Sequence, residues 1–189
     1  LDAAASRCTV DLPGLSTAAS LCAATRVVTA TKMRFGRMRL GNAYGSELLD
    51  LSIPVQAQYW NGTAFVQNGA DSCSTVGAGS VVLTNYQGGL SAASMGLAHV
   101  STTPIVAGAG SIKLAKPTPA TRGSVDLVLN LGSLGLPSNC PGWSNAGSAS
   151  AALPFLSGAW CGTSPDRDPV ARATFGVFKS PLIYRRENY

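Results

Sequence analysis

Between Leu49 and Tyr59 apolar and polar residues alternate with a period of two. Leu49, Leu51, Ile53, Val55, Ala57 and Tyr59 fall on one face, and Asp50, Ser52, Pro54, Gln56 and Gln58 on the other. That is the pattern of an antiparallel strand with one buried and one solvated face. The strand runs into Asn61-Gly62, a dipeptide that tolerates positive φ at both centres of a type I′ turn, and Thr63 to Val66 carries the chain back as a β-hairpin. A two-residue loop sets Trp60 opposite Thr63, Tyr59 opposite Ala64, Gln58 opposite Phe65 and Ala57 opposite Val66. Trp60 and Phe65 then share the polar face with Gln56 and Gln58. An aromatic pair placed there is either a contact surface or the floor beneath a covering loop.

The same alternation recurs at Gly123 to Leu131, with Val125, Leu127, Leu129 and Leu131 inward and Asp126 and Asn130 outward, and at Ala171 to Phe178, with Ala173, Phe175 and Val177 on one face. Thr25 to Thr31 is β-branched enough for a further strand. In Lys32 to Leu40 the apolar phase slips by one between Met33, Phe35 and Met38, Leu40. A β-bulge at Gly36-Arg37 would restore a single apolar face and place Lys32, Arg34, Arg37 and Arg39 together on the other. Gly77 to Leu83 resembles Gly108 to Leu114, each reading as a glycine turn that feeds a strand. Asn85 to Pro104 has no clear period and accommodates a short helix near Ser91 to Ala98. The stretch 132–159, rich in glycine, serine and proline, reads as a long loop held by a disulfide and by Trp143 or Trp160 packing over the core.

Short strands, glycine and proline turns and no amphipathic helix of about ten residues predict an all-β fold, an antiparallel β-sandwich of immunoglobulin-like or jelly-roll-like type with long loops. Closure into a barrel would leave a similar pattern. Residues 1–24, with Pro13-Gly14 and two cysteines, read as a disulfide-stapled N-terminal segment or the remnant of a preceding module, and residues 25–189 as the sandwich domain.

Composition narrows the setting. Only 12% of the 189 residues are charged, well under the roughly 25% usual in soluble domains, which suits an extracellular β-protein better than a cytosolic enzyme. No run of about 20 apolar residues exists to span a membrane, and Leu1-Asp2-Ala3 does not resemble a signal peptide, so export would require a signal upstream in a longer precursor. The basic stripe Lys32, Arg34, Arg37 and Arg39 supplies much of the net charge of +5. It suits the protection of an edge strand against unwanted pairing first, and otherwise contact with an acidic polysaccharide, lipid head groups or nucleic acid.

Five cysteines, no C-x-x-C pair and a single histidine favour disulfides over zinc. Sequence proximity pairs Cys8 with Cys22 and Cys140 with Cys161, leaving Cys73. The second bridge closes a loop of about 20 residues and would stabilise by roughly 3 kcal/mol in the chain-entropy account.

Catalytic signals are absent from the sequence. His99 has no partner in a nucleophile motif, and no G-x-S-x-G, H-E-x-x-H or P-loop occurs. Asp166 and Asp168 flank Arg167 in what reads as a capped turn, because a calcium loop needs more oxygen ligands. Asn61-Gly62-Thr63 matches a glycosylation acceptor, although the hairpin turn accounts for it. Glu47 and Asp50 are near one another, but glycoside hydrolysis needs a carboxylate pair across a cleft. No catalytic residue, metal or cofactor is therefore expected.

Several stretches together carry a resemblance: Arg34-Phe35-Gly36-Arg37, Gly41-Asn42-Ala43-Tyr44-Gly45-Ser46-Glu47-Leu48-Leu49, Gln58-Tyr59-Trp60-Asn61-Gly62, Asp71-Ser72-Cys73, Ala171-Arg172-Ala173-Thr174-Phe175-Gly176-Val177-Phe178 and Ile183-Tyr184-Arg185-Arg186. Over roughly residues 32–189 the chain resembles the C-terminal domain of MshQ-like proteins, large bacterial proteins associated with biogenesis of the mannose-sensitive haemagglutinin type IV pilus. The resemblance implies no catalytic residues. It implies a bacterial envelope setting, at the extracellular surface or in the periplasm, a preceding multidomain region, and a natural C-terminus close to Tyr189.

The expectation is a non-enzymatic structural or assembly domain of a pilus-associated surface protein, whose partners are pilus or other surface proteins rather than nucleic acid. The alternative is a glycan-binding adhesin whose hairpin face offers Trp60 and Phe65 for stacking, with Gln56 and Gln58 as hydrogen-bonding neighbours. An enzymatic reading would require His99 to meet Asp126, Asp166 or Asp168 in a pocket.

Overall fold

Period-two segments pair side by side wherever each can bury its apolar row, and here they do so in two sheets. The computed structural model describes residues 34–132, 140, 142 and 149–176. The chain divides into two units after Met33, and every described residue belongs to the second. The expected boundary at residues 24 and 25, the Cys8–Cys22 pairing, the strand at 25–31, Lys32, Trp143 and the stretch from Val177 to Tyr189 lie outside the described residues.

Nine strands are described: β1 (Gly36–Leu40), β2 (Ala43–Gly45), β3 (Leu51–Trp60), β4 (Phe65–Gln67), β5 (Val81–Gly88), β6 (Val100–Thr102), β7 (Ala109–Leu114), β8 (Gly123–Leu129) and β9 (Val170–Phe175). One sheet runs β1-β3-β7-β6, with β4 also paired to β3; the second runs β2-β9-β8-β5. All described pairings are antiparallel except that of β2 with β9, which is parallel. The expected sandwich is therefore present, with one mixed sheet. Among the described residues the only helices are three-residue 3-10 turns, at Ala78–Ser80, Leu97–His99 and Pro154–Leu156. The last two replace, respectively, the short helix expected near Ser91 to Ala98 and part of the long loop.

The core lies between the sheets. Met38, Ile53, Val55, Ala57, Ile112 and Leu114 meet Val81, Val125, Leu127, Leu129, Ala173 and Phe175 in one buried cluster. β3 delivers its alternating row as expected from Leu51 to Ala57, but Leu49 is 67% exposed. The β3–β7 ladder ends at the Leu51–Leu114 pair, and Glu47 to Leu49 instead form a turn in which the Leu49 N–H donates to the Ser46 carbonyl. Pro54 is tolerated inside this central strand because its missing N–H would face Gly41, one residue past the end of β1. Gly41 is required there, since a Cβ at this position would lie 2.7 Å from Pro54 Cγ.

Sheet edges are each blunted. β2 and β6 have three residues each, and β5 carries a register shift between Thr84 and Gln87 with Asn85 at positive φ. β1 ends its sheet, but Met38 is completely buried, and Leu156 from the Pro154–Leu156 turn comes up against Gly36. Such edges resist indiscriminate strand addition. Cys140 and Cys161 are bridged as expected, with Cα atoms 5.7 Å apart, and Cys73 is an exposed free thiol.

Two expectations about register need correction. Trp60 pairs with Phe65, Tyr59 with Val66 and Gln58 with Gln67, so the hairpin loop is four residues long and the pairing is shifted by two. Asn61 is the cause: its side-chain oxygen accepts the N–H groups of Thr63 and Ala64 at 2.9 Å each, while its own N–H donates to the Ala64 carbonyl. Among the described residues Asn61 is not at positive φ, which excludes the type I′ turn. The second correction is at β1, which pairs with β3 in unbroken register. The ladder continues one bond further, from Trp60 N–H to the Phe35 carbonyl, leaving no bulge to gather the basic residues on one face.

Candidate functional site

Side chains of β1 and the hairpin come together on the outer side of the first sheet. Residues of one parity, Phe35, Arg37 and Arg39, point away from the core and lie beside Gln56, Gln58 and Trp60 of β3. Trp60 and Phe65 are directly opposed, with ring centroids 5.3 Å apart and an edge-to-face arrangement, and Phe35 lies 5.7 Å from Phe65. The Arg37 guanidinium sits 3.8 Å above the Phe65 ring and 4.6 Å from the Trp160 ring. Its Nε donates to Gln58 Oε1 at 2.9 Å, and Gln58 Nε2 donates to Gln56 Oε1 at 3.2 Å. Burial first, and the neighbouring Arg39 second, lower the Arg37 pKa from its ordinary value.

This arrangement changes the roles expected of the four hairpin residues. Trp60 is 44% exposed, but Phe65 is half-buried beneath Arg37, and Gln58 is buried. Gln56 is half-buried and, with Arg39, Gly41 and Pro54, lines a small depression of 190 Å³. The basic stripe is also divided. Arg37 and Arg39 share the outer face, whereas Arg34 lies 4.2 Å from the Tyr59 ring and donates to Asn68 Oδ1 at 2.8 Å.

A second concave region lies on the outer side of the other sheet, and the sequence pattern did not single it out. Asn42, Tyr44, Asp126, Cys140, Trp160, Val170, Ala171 and Arg172 surround a cleft of 410 Å³. At its floor Asp126, expected to point into solvent, is 1% exposed. Arg172 from β9 reaches it from the adjacent strand, Nε to Oδ1 at 2.7 Å and Nη2 to Oδ2 at 3.0 Å, and Asn85 Nδ2 donates to Oδ2 at 2.7 Å. That two-pronged ion pair, through hydrogen bonding first and charge second, raises the Arg172 pKa. Asn42 Oδ1 accepts the Arg172 backbone N–H at 2.9 Å, which ties the approach to β2 onto β9. Tyr44 is 72% exposed. Trp160 stands at the far side, its indole seated over Gly158, where a Cβ would come within 2.7 Å of Nε1.

The candidates for acid–base chemistry are dispersed into structural contacts. Glu47 meets Arg122 at 3.0 Å, and Asp50 meets Lys113 at 3.0 Å. Both carboxyls are drawn below their ordinary values, Glu47 first by a backbone hydrogen bond and then by Arg122, Asp50 first by Lys113 and then by the Lys116 N–H. A glycosidic general acid needs the opposite shift. Asp166 pairs with its neighbour Arg167 at 3.2 Å, while Asp168 is fully buried and its Oδ1 accepts the Leu131 N–H. His99 ends the Leu97–His99 turn, half-buried, with Nδ1 enclosed and without a hydrogen-bond partner. Among the described residues no group of three His, Cys, Asp or Glu side chains converges as metal ligands would, and no helix is long and apolar enough to cross a membrane.

Fold and surface together define a disulfide-bonded, two-sheet β-sandwich domain with an arginine–aromatic cluster on one outer face and an ion-paired cleft on the other. The model of the fourth domain of DUF6701 matches residues 34–188, and the chain belongs to that family of domains of unknown function. Neither a curated protein nor a solved structure matches the chain.

Proposed function

We propose that this domain is a non-enzymatic structural or assembly module of a bacterial surface protein, that it works outside the cytoplasm, and that its partner is another protein of the pilus or the cell surface. The observation that carries this reading is the position of Arg37. By lying 3.8 Å over Phe65 it occupies the ring face on which a sugar would stack, and it leaves the exposed Phe35 and Trp60 beside a guanidinium. Tryptophan and arginine are the side chains that dominate protein–protein hot spots, and here Trp60 and Arg37 both pack on the Phe65 ring. The similarity to MshQ-like proteins supplies the pilus setting, and a disulfide such as Cys140–Cys161 persists in oxidising compartments. The alternative, a glycan adhesin using Trp60, Phe65, Gln56 and Gln58, has less support, because Gln58 is buried and Phe65 is covered by Arg37.

The test is biolayer interferometry of the full chain, disulfide intact, against purified subunits of the pilus that accompanies the parent protein. Binding that weakens by about tenfold or more in a folded Trp60→Ala variant is the expected result, as for a hot-spot tryptophan. If no subunit binds, or if Trp60→Ala binds unchanged, this face is not the assembly surface.

A further inference from the structure

We propose that the cleft bounded by Tyr44, Trp160 and Arg172 is a binding site for a neutral oligosaccharide, one that meets the arginine–aromatic face only at Trp160 and is independent of the assembly reading. The cleft holds 410 Å³, within the range of small-ligand sites. Its wall carries two aromatic side chains, of which Tyr44 is largely exposed, and flat aromatic faces bind the apolar faces of sugar rings. Tyr44 supplies the open stacking face: no arginine–ring contact occurs at it among the described residues, whereas Arg37 lies over Phe65 on the hairpin and 4.6 Å from the Trp160 ring.

The polar groups of the cleft favour hydroxyl and ring oxygens over a carboxylate. Arg172 uses Nε and Nη2 on Asp126, so its charge is matched by a buried carboxylate, and its remaining N–H groups serve as single donors held in place by that pair. An acidic sugar would have to compete with Asp126 for the same guanidinium. The Asn42 side chain is fixed through its Oδ1 to the Arg172 backbone and adds an amide at the rim. Fixed donors beside an exposed ring, in a site with no net charge from its ion pair, are what a neutral glycan requires. Trp160, anchored over Gly158 and with Arg37 4.6 Å from its ring, bounds the cleft and leaves the stacking role to Tyr44.

The experiment is an oligosaccharide array carrying neutral hexose and N-acetylhexosamine glycans together with uronate-containing and sialylated ones. It is probed with the full chain, with Tyr44→Ala, with Tyr44→Phe and with Trp60→Ala. Binding to neutral glycans is expected, reduced by at least about fivefold in Tyr44→Ala, largely kept in Tyr44→Phe and unchanged in Trp60→Ala. Because Tyr44 is exposed at a three-residue edge strand, Tyr44→Ala retains the fold, which circular dichroism checks. No glycan bound, acidic glycans alone bound, or neutral binding lost in Trp60→Ala but kept in Tyr44→Ala would each overturn the proposal. The last of these would restore the hairpin face as the glycan site, whereas loss of pilin binding leaves this proposal untouched.

Discussion

Arg37 and Arg172 are both half-exposed arginines on the outer faces of their sheets, and the structure uses them in opposite ways. Arg37 lies on rings: Phe65 below it, Trp160 beside it, Gln58 as its hydrogen-bond acceptor, and Arg39 near enough to lower its pKa further after burial. Arg172 lies on a buried carboxylate, which raises its pKa. An arginine needs either a π face or an anion to compensate for leaving water, and which one it finds decides what stays open around it. On the first sheet the cation covers an aromatic ring and builds a protein-like surface. On the second it is neutralised from beneath and leaves Tyr44 uncovered.

The sharpest test of this contrast is to remove the cation from the buried carboxylate. Arg172→Ala should destabilise the domain by about 3 kcal/mol in urea denaturation, because the buried Asp126 carboxylate loses the two-pronged guanidinium that matches its charge. Asp126→Ala should cost less, about 2 kcal/mol, because Arg172 is 44% exposed and can be rehydrated. Equal losses would mean that the pair behaves as an exposed one. On the other sheet Arg37→Ala removes a stack on two rings and one hydrogen bond, and should cost about 1–2 kcal/mol. Its distinguishing mark is increased quenching of tryptophan fluorescence by acrylamide as Trp160 is uncovered, a signal that Asp126→Ala should not give.

The smallest expected effect concerns a carboxylate on the hairpin side held by neutral donors. Burial alone would raise the Asp71 pKa, but hydrogen bonds from Ser74 and Cys73 outweigh it, so the folded value lies below the ordinary one. A carboxyl whose pKa is depressed on folding contributes stability above its unfolded pKa and loses it as pH falls through the folded value. Asp71→Asn should therefore be about 1 kcal/mol less stable than the parent at pH 7, losing the Ser74 hydroxyl as a donor to Oδ2. The two denaturation midpoints should converge on acidification below the usual carboxylate range. A gap that persisted at low pH would place the effect in loop geometry rather than charge.

Local alternation was enough to locate β3, β8 and β9 and the rows that meet in the core, because side chains one strand apart in parity must face opposite ways wherever the backbone is extended. It also placed Trp60 and Phe65 on a common face although the hairpin register was off. The actual shift is two residues, and an even shift preserves the face. Cys140 with Cys161 followed from their proximity along the chain. What alternation could not carry was every decision involving a second segment. Asp126 reads as solvent-facing until β9 is known to be its neighbour, since the residue that buries and pairs it, Arg172, lies 46 positions away. Phe35 reads as core until the ladder is seen to continue without a bulge and to bring its ring to Phe65. Leu49 reads as strand until β7 is found to end opposite Leu51. Nothing local distinguishes Trp160 from Trp143, yet only the fold brings Trp160 against Arg37. The sequence by itself determined the class of fold and the parity of its strands, since both follow from backbone geometry over a few residues. Strand order, the burial of an acid and the choice of partner for each arginine were decided by tertiary structure, because those energies arise between segments that only packing brings together.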